Sequence, residues 1–470
     1  MLRTTFILAA LILSARAESV WPQFRGPSGA STAVGAAPPR ELDGTRHLLW
    51  RSPVPSGSSS PVIVGDRIFL TGFSDGKLAT FALKRSDGSV AWRHDLAPEK
   101  IEPFMEKLGS PAASTCATDG ERVVSYFGSH GLQAFDLDGK ALWEVKLPVT
   151  QTKDGFGTGT SPIIHDGVVY LVRDEDGPGN GLYAFDAKTG AQLWKQSRKE
   201  FRVSFGTPVV WDGSLVILGD TRAKGYDLKT GEERWIVRGL SAYPCTTPTT
   251  GTDGNLYIAT WSPGGSADEA MPEYDVFLKM MDKDGDGRIS RAETTGTPLQ
   301  DFFDVQDKDK SGYMERAEWQ TNLDWMKRGK NIVLGIKPGG HGDITESHVL
   351  WSNEKGAPYV ASPLFYDGKL FIVKDGGLAT LYEAATGKLL YTKERLGVPG
   401  DFYVSPTIVG DRIFVGATSG MLLILDAQST EKPVVLGKID LGEYLAASPA
   451  IVDGKVYVRT KEHVVALGAR

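Results

Sequence analysis

The sequence contains only two cysteines, Cys116 and Cys245, in 470 residues, and it has no excess of basic charge. Without closely spaced Cys or His partners, these two residues exclude a disulfide-dense scaffold and a zinc site, although an exported protein can pair them, so their bonding stays open. The formal net charge of −6 argues against nucleic-acid binding, which needs a basic surface. Beyond the N-terminus, no apolar stretch approaches the roughly 20 residues of a membrane span.

Sequence motifs of catalysis are also lacking. The chain has no G-x-S-x-G or H-E-x-x-H motif, no P-loop and no dinucleotide fingerprint. Its 7 histidines are scattered along the sequence without the spacing of metal ligands. These absences favour a non-catalytic binding or scaffolding protein and leave an enzymatic activity open.

The N-terminus has the pattern of an export signal. Arg3 precedes an apolar stretch at positions 6–13, and Ala15-Arg16-Ala17 matches a small-residue cleavage site. We therefore predict a signal peptide at residues 1–17, an N-terminal leader at residues 18–43, and a mature protein that is periplasmic or extracellular.

A hairpin motif recurs along the rest of the chain. Each copy has a small residue, usually followed by Pro, then a Gly/Asp turn and an alternating β-strand. Asp-Gly supplies the positive φ values of a two-residue hairpin turn, and Pro at the start of a strand removes no ladder hydrogen bond. The copies begin at Ser60, Ser114, Ser161, Thr207, Thr247, Ser362, Ser405 and Ser448.

A second hairpin follows most copies. Its best versions read Phe/Tyr-Asp-x-x-Thr-Gly-x-x-x-Trp and end at Trp194 and Trp235. Two hairpins make a four-stranded antiparallel sheet, which is one blade of a β-propeller. We expect the aromatic residue to dock against the neighbouring blade at Trp50, Trp92, Trp143, Trp194, Trp235 and Trp351.

The copies predict an all-β fold, an eight-bladed propeller over residues 44–470. The last copy has only three strands before Arg470, and residues 47–50 place Trp50 in the aromatic slot of the missing fourth strand. Pairing the two ends of the chain would close the ring and remove its exposed edges. We expect a monomer.

These repeats resemble those of pyrroloquinoline-quinone (PQQ) propellers, and residues 21–27 and 342–351 resemble a secreted bacterial subgroup of them. The resemblance implies two alternative functions, a PQQ-dependent dehydrogenase of alcohols or sugars and a cell-envelope assembly factor. Such dehydrogenases usually carry a vicinal Cys-Cys disulfide against the quinone, which this sequence lacks, so the comparison argues against PQQ as a cofactor. An assembly lipoprotein would carry a lipidated Cys where this chain has Glu18.

The fifth copy is interrupted by residues 262–330, which contain two calcium-loop motifs. Carboxylates at loop positions 1, 3 and 5, a backbone carbonyl at 7 and a bidentate Glu at 12 are the oxygen ligands of an EF-hand. We predict two Ca²⁺ sites in a small α-helical EF-hand pair inserted in blade five. The first site has Asp282, Asp284, Asp286, Arg288, Ser290 and Glu293. The second site has Asp307, Asp309, Ser311, Tyr313, Glu315 and Glu318.

The spacing of these loops leaves their pairing open. The loops start only 25 residues apart, at Asp282 and Asp307, and Gly296 and Pro298 cut short the helix after the first loop. A helix is predicted at residues 272–281 before the first loop. The final helix is indicated by an apolar stripe of Trp319, Leu323 and Met326.

Six aromatic residues precede the innermost strands of the blades, on the face where propellers usually bind ligands. They can ring the channel mouth and stack on a protein or carbohydrate ligand, or they can pack between blades. Lys153 and Arg202 lie nearby and can recognise an acid. The six residues are Phe156, Phe205, Tyr243, Tyr359, Tyr403 and Tyr444.

Overall fold

The computed structural model describes residues 20–266 and 271–470, and eight antiparallel sheets follow one another around a central axis. Five of these sheets have four strands and three have a fifth strand added at an edge. The prediction of an eight-bladed all-β propeller is confirmed. The predicted signal peptide at residues 1–17 lies outside the described residues.

The first four blades are formed by consecutive hairpins. Blade 1 consists of Val62–Val64, Arg67–Ser74, Lys77–Lys84 and Val90–Leu96. Blade 2 consists of Ala117–Thr118, Arg122–Phe127, Gly131–Asp136 and Ala141–Lys146. Blade 3 consists of Ile163–His165, Val168–Arg173, Gly181–Asp186 and Gln192–Gln196. Blade 4 consists of Val209–Trp211, Ser214–Gly219, Arg222–Asp227 and Glu233–Arg238, with Gly342–Asp343 added at its outer edge.

The remaining blades include the interrupted one and the closing one. Blade 5 consists of Thr249–Thr250, Leu256–Thr260, Ile332–Ile336 and Val349–Asn353. Blade 6 consists of Leu364–Tyr366, Lys369–Lys374, Leu378–Glu383 and Lys388–Arg395. Blade 7 consists of Thr407–Val409, Arg412–Gly416, Met421–Asp426 and Val435–Asp440. Blade 8 consists of Ala450–Val452, Lys455–Arg459, His463–Gly468 and the early strand Leu48–Pro53.

The two ends of the chain close the ring as predicted. Leu48–Pro53 pairs antiparallel with His463–Gly468, with Trp50 opposite Ala466. The Trp50 indole N–H then donates to the carbonyl of Arg85 in blade 1 at 3.0 Å. Closure therefore covers the outer edge of His463–Gly468, which the last three strands of the chain would leave unpaired.

The repeated Trp and Gly form the contact between blades. Five of the six predicted indoles donate their N–H to a carbonyl of the next blade, as Trp143 does to Ala187 at 2.9 Å and Trp351 does to Ala384 at 2.7 Å. The turn that supplies this carbonyl contains a Gly, which lies against the indole ring. A Cβ on Gly190 would be 2.7 Å from Trp143. The same glycine contact occurs at Trp50, Trp92, Trp143, Trp194 and Trp351.

Trp235 departs from this prediction. It is 2% exposed and packs inside blade 4, edge-to-face with Trp211 at 5.9 Å and against Gly225 of its own sheet. Trp211 reaches the next blade instead, because its indole N–H donates to Gly254 at 2.9 Å.

A closed ring of hydrogen bonds surrounds the axis. In each blade, the backbone N–H of a Ser or Thr at the start of the repeat donates to the hydroxyl of the equivalent residue in the next blade, and in the second copy this residue is Thr115, one position after Ser114. The eight N···O distances lie between 2.9 and 3.3 Å. This hydroxyl ring comprises Ser60, Thr115, Ser161, Thr207, Thr247, Ser362, Ser405 and Ser448.

The N-terminal segment crosses one end of the axis. Val20–Trp21 adds to blade 1, and Thr32–Ala33 adds in parallel to blade 7. Between them, the buried Arg25 donates to carbonyls of Pro248 and Pro363, at the starts of the innermost strands of blades 5 and 6. A 3₁₀ turn at Pro27–Gly29 lies between these two added strands. The segment therefore fixes several blades to one another.

The insert, residues 262–330, leaves blade 5 after Leu256–Thr260 and returns at Ile332–Ile336. The helices in its described residues are α1 (Tyr274–Met281), α2 (Phe303–Gln306) and α3 (Arg316–Met326), with a 3₁₀ turn at Pro298–Gln300. The short strands Ile289–Ser290 and Tyr313–Met314 pair antiparallel. Further along the chain, α4 (Thr345–His348) precedes the last strand of blade 5. No helix in the described part of the chain has both the length and the apolar character to cross a bilayer.

Candidate functional site

The two loops of the insert share one pattern of backbone hydrogen bonds; loop 1 is residues 282–293 and loop 2 is residues 307–318. In loop 1, Gly287 N–H donates to Asp282 at 3.0 Å, and Lys283 N–H donates to Glu293 at 2.6 Å. The equivalent bonds in loop 2 are Gly312 to Asp307 at 2.9 Å and Lys308 to Glu318 at 2.7 Å. Each loop therefore curls around its first and twelfth side chains.

Three carboxylates meet in each loop. One oxygen from each of Asp282, Asp284 and Glu293 lies within 4.8 Å of the other two, and Asp307, Asp309 and Glu318 do the same. Partial burial opposes ionisation of Glu293, but hydrogen bonds from Ser290 and Lys283 outweigh it and lower the pKa of this carboxyl. Each cluster of three carboxylates therefore concentrates negative charge in a small volume.

The other predicted ligands are not part of these two carboxylate clusters, and they contact other side chains and backbone groups of the insert. The Asp286 carboxylate lies 3.1 Å from the Arg288 guanidinium, which in turn stacks over the Tyr313 ring at 3.6 Å. Ser290 donates through its hydroxyl to Glu293 at 2.9 Å. Ser311 accepts the Tyr313 N–H, and Glu315 is the N-cap of α3.

The pairing of the loops, left open by the sequence, is present. Ile289 lies opposite Met314 in the two-residue bridge, and both side chains are fully buried. They join Phe277, Phe303 and Trp319 in a small separate core. The 25-residue spacing is accommodated because only a 3₁₀ turn and the four-residue α2 lie between the loops.

The insert packs on one face of the propeller. The Trp325 ring of α3 meets the Tyr243 ring edge-to-face at 4.0 Å, and Phe302 lies 6.3 Å from Phe156. Arg328 also pairs with Asp220 of blade 4 at 2.7 Å. The insert that carries the acidic loops therefore contacts aromatic residues at the channel mouth directly.

A chamber of about 200 Å³ lies on the axis at this face. Phe24 and the hydroxyl ring line it, and Leu108 and Gly109, from the connection between blades 1 and 2, form part of its wall. No charged side chain lines this axial chamber among the residues that the structure describes. An adjoining cavity of about 440 Å³ shares Ser58, Leu108 and Gly109.

The six predicted aromatic residues are all half-buried, and their positions differ. Phe156, Phe205, Tyr359 and Tyr403 line the axial chamber, whereas Tyr444 lines the adjoining cavity. Their rings also pack on one another, because Phe156 meets Phe205 edge-to-face at 6.2 Å, and Tyr359 meets Tyr403 at the same distance. Tyr243 is covered by Trp325 of the insert.

The two nearby basic residues already have acidic partners. The Lys153 ammonium pairs with Asp154 and faces the rings of Tyr243 and Trp325 at 5.0 and 4.5 Å. Desolvation lowers the pKa of Lys153, although the pairing with Asp154 opposes this effect. Arg202 pairs with Asp176 at 2.6 Å.

Sequence reasoning missed the hydroxyl ring that lines the chamber. The repeat motif indicates only the start of a strand at this place. A Ser or Thr nevertheless occupies the ring position in every copy, at Thr115 in the second one, and that hydroxyl is the signal for the ring. Cys245 also lines the chamber, whereas Cys116 is fully buried, and both are free thiols. Burial raises the pKa of each thiol to about 12.

Several known proteins are similar in sequence to parts of this chain. The outer membrane protein assembly factor BamB of Burkholderia pseudomallei is 28% identical over 197 residues, which are 40% of this chain and 44% of that protein. BamB of Alkalilimnicola ehrlichii is 27% identical over 161 residues, 34% and 38% of the two chains. A polyvinylalcohol dehydrogenase of a Pseudomonas species is 26% identical over 159 residues, 30% and 22% of the two chains. The chain thus spans less than half the length of these relatives.

Solved structures share the fold. BamB of Moraxella catarrhalis superposes with a TM-score of 0.55 at 16% identity, covering 89% of this chain and 98% of that one. The quinohemoprotein alcohol dehydrogenase of Comamonas testosteroni superposes with a TM-score of 0.52 at 15% identity, covering 98% and 82%. These likenesses concern the propeller architecture alone.

The PQQ_2 family, described as outer membrane protein assembly factor BamB, matches residues 41–156, 81–243 and 342–470. These overlapping segments leave out the insert and cover more than half of the chain. The chain therefore belongs to the PQQ_2 family of repeat β-propellers.

Proposed function

We propose that this protein is an exported calcium-binding β-propeller that binds a protein or carbohydrate ligand at the face carrying the insert, without a catalytic step. The observation that carries the calcium proposal is the meeting of three carboxylates in each loop within 4.8 Å. Ca²⁺ is a hard cation that takes six to eight oxygen ligands, and this all-oxygen donor set fits it.

The proposed ligands follow the loop positions. Asp282, Asp284 and Glu293 supply carboxylate oxygens in the first site, and Asp307, Asp309 and Glu318 supply them in the second. The remaining oxygens come from two sources, namely carboxylate or hydroxyl side chains and a backbone carbonyl at loop position 7. These remaining ligands are Asp286, Arg288 and Ser290 in loop 1, and Ser311, Tyr313 and Glu315 in loop 2.

The metal is proposed to clip the insert in place rather than to signal. Without a cation, the three carboxylates of each loop repel one another. Outside the cell Ca²⁺ is abundant enough to fill even weak sites of about 10⁻⁴ M, so the loops would stay loaded. The insert has its own core, and Trp325 and Phe302 attach it to the propeller face.

Calorimetric titration of the chelator-treated protein tests this proposal. We expect two Ca²⁺ sites in the natural sequence, one in Glu293→Gln, one in Glu318→Gln and none in the double variant. Asp324→Asn is the matched control, because it removes one exposed insert carboxylate that lies outside both loops and, among the described residues, accepts a hydrogen bond only from Gln320 of its own helix. Absence of Ca²⁺ uptake by the natural sequence would overturn the calcium proposal.

The alternative of a quinoprotein dehydrogenase has support from the polyvinylalcohol dehydrogenase relative. The residues of the axial chamber do not fit PQQ, which is a tricyclic acid with three carboxylates. Among the described lining residues there is no charged side chain to pair with it, and a chamber of about 200 Å³ is small for it. Reconstitution with PQQ and Ca²⁺, followed by dye reduction with alcohols or aldoses, would detect this activity.

The alternative of a cell-envelope assembly factor has support from the family and from the BamB relatives. In that case the face carrying the insert would contact a protein of the envelope. A pull-down from envelope extracts would identify such a partner if the protein is immobilised through the opposite face of the propeller. Cell fractionation tests the proposed export.

A further inference from the structure

The hydroxyl ring presents convergent donors to the axial chamber. Every hydroxyl of the ring accepts one backbone N–H, and none of them donates to a protein acceptor in the part of the chain that the structure describes. All eight residues are at least nine-tenths buried and line the chamber. Buried donors without acceptors are costly, so a ligand rich in acceptor oxygens would be stabilised there.

Two arginines without acidic partners adjoin this ring. Arg25 and Arg459 are both fully buried, and the described residues provide only oxygen atoms of carbonyls and hydroxyls as their acceptors. Arg25 donates to the carbonyl of Thr247, and Arg459 donates to the hydroxyl of Ser59, next to Ser60. Desolvation lowers the pKa of both arginines to about 9, so both are still charged at neutral pH.

These charges lie at two separate sectors of the ring. Arg25 lies at blades 5 and 6, whereas Arg459 lies in blade 8 beside blade 1. An uncompensated charge in a low-dielectric interior attracts an opposite charge strongly. The inner end of the chamber is therefore suited to an anion, although its direct contacts are neutral hydroxyls.

The outer part of the chamber has a different character. Phe156, Phe205, Tyr359 and Tyr403 surround it with ring faces and edges. Near Tyr359 and Tyr403, Asp375 and Asp401 are close enough to repel each other, and burial together with this repulsion raises the pKa of Asp375 to about 7. A ligand with a second negative charge near these carboxyls would be disfavoured there.

We propose that the axial chamber binds the carboxylate of a small apolar monoacid, or of an apolar C-terminal residue of a peptide, with the carboxylate at the hydroxyl ring and the apolar body among the aromatic residues. The inference rests on the proposed role of this face as a ligand site. A chamber of about 200 Å³ has room for one aromatic ring and a carboxylate, and not for a long oligosaccharide.

Calorimetric titration of the Ca²⁺-loaded full chain with benzoate and benzamide tests the proposal. The two probes have nearly the same shape and differ in charge. We expect benzoate to bind at least about tenfold more tightly than benzamide, because only benzoate carries the anion that the donors and arginines favour. Equal affinities, or no benzoate binding up to about 10 mM, would overturn the proposal.

Variants locate the binding site. Thr207→Val removes one ring hydroxyl at nearly constant volume, and we expect about threefold to tenfold weaker benzoate binding with little change for benzamide. Thr207→Ser restores the hydroxyl and should restore the affinity. Thr189→Val is the matched control in an exposed turn of blade 3. If Thr207→Val weakens both probes equally, or not at all, the carboxylate does not lie at the ring.

Further measurements separate the two ligand sources and the two proposals. Acetyl-dialanyl-phenylalanine with a free carboxyl terminus should bind more tightly than its amide and than benzoate if a peptide end is the ligand. Tighter binding of benzoate than of the free peptide indicates a small acid. Failure of benzoate binding with a normal Ca²⁺ titration overturns this inference alone, whereas absent Ca²⁺ uptake overturns the calcium proposal alone.

Discussion

Single glycines decide how closely two blades approach each other. Gly190 has a φ of 73°, and the Trp143 ring of the preceding blade lies where its Cβ would be. The Gly of the Thr-Gly pair is therefore required for two reasons. Its φ is positive, and a side chain at this position would collide with the indole.

We expect Gly190→Ala to lower the free energy of unfolding by about 2–4 kcal/mol, because backbone strain and overpacking add. Gly76 is the matched control, since its φ is also 73° but nothing lies within 4 Å of its Cβ position. Gly76→Ala should cost only the strain, about 1 kcal/mol. Denaturant unfolding measures both, and equal losses would show that the indole contact is unimportant.

A buried carboxyl makes the stability depend on pH. Desolvation raises the pKa of Glu102 from 4.5 to about 7, although the Thr158 hydroxyl donates to it. The folded protein thus holds this proton more tightly than the unfolded chain. The free energy of unfolding should fall as pH rises from about 4.5 to about 7, by about 3 kcal/mol at most from this group.

Glu102→Gln should reduce this pH dependence and stabilise the protein at pH 8, as measured by melting temperature across the pH range. Some dependence should remain, because the pKa of Asp375 is raised in the same direction. Glu121→Gln, a change at an exposed residue, is the control. An unchanged pH profile in Glu102→Gln would contradict the account of this residue.

At the scale of elements, Glu318 has two roles in α3. Its side chain accepts the Glu315 N–H in a capping box, and it is also a proposed Ca²⁺ ligand. Glu318→Gln should weaken Ca²⁺ binding but keep the cap, since Gln also serves in a capping box. Glu318→Ala should lose both and destabilise the helix by about a further 1 kcal/mol. Circular dichroism and hydrogen exchange of α3 without Ca²⁺ would distinguish them, and identical behaviour would rule out the capping role.

The elements that the sequence predicted best are those with a repeating pattern. The hairpins, the strand that contains Trp50 and the helix α1 were foreseen, because turn residues and apolar spacing are local signals. Trp235 was placed wrongly because the choice between its own blade and the next depends on Trp211, a residue outside the motif. The role of Arg25 could not be foreseen, since its carbonyl acceptors lie 222 to 338 residues away.

At the scale of the whole molecule, the insert and the axial chamber are in contact. Trp325 covers Tyr243, and Phe302 touches Phe156 at the chamber wall. We call Trp325 and Phe302 the cover of the chamber. Calcium binding in loop 2 would order α3 and thereby hold this cover in place. Cys245 lines the chamber and Cys116 is fully buried, so alkylation of Cys245 reports on the cover.

We expect chelation of Ca²⁺ to raise the alkylation rate of Cys245 at least about tenfold while Cys116 stays protected and the β-sheet signal persists. Trp325→Ala should raise the rate even with Ca²⁺ bound. Peptide mass spectrometry measures both sites. A rate unaffected by chelation in a protein that does bind Ca²⁺ would show that the cover does not depend on the metal.

Closure by the N-terminal strand leads to a prediction about truncation. Removing residues 18–51 from the mature chain would leave blade 8 with three strands and would also remove Arg25 from the axis. The truncated protein should aggregate or lose cooperative unfolding, as measured by light scattering and calorimetry. A truncated protein that melts like the complete one would contradict the closure account.

The same pairing determines when folding can finish. Leu48–Pro53, near the beginning of the chain, can complete its sheet only with His463–Gly468, near the end. The inner ring likewise closes only when Ser448 N–H reaches Ser60, 388 residues away in sequence. Closing so long a loop is entropically costly and slow, so the ring cannot form while the chain is still being synthesised. An incomplete chain therefore remains without a closed core, a state that would suit the proposed export if the chain passes through a narrow channel.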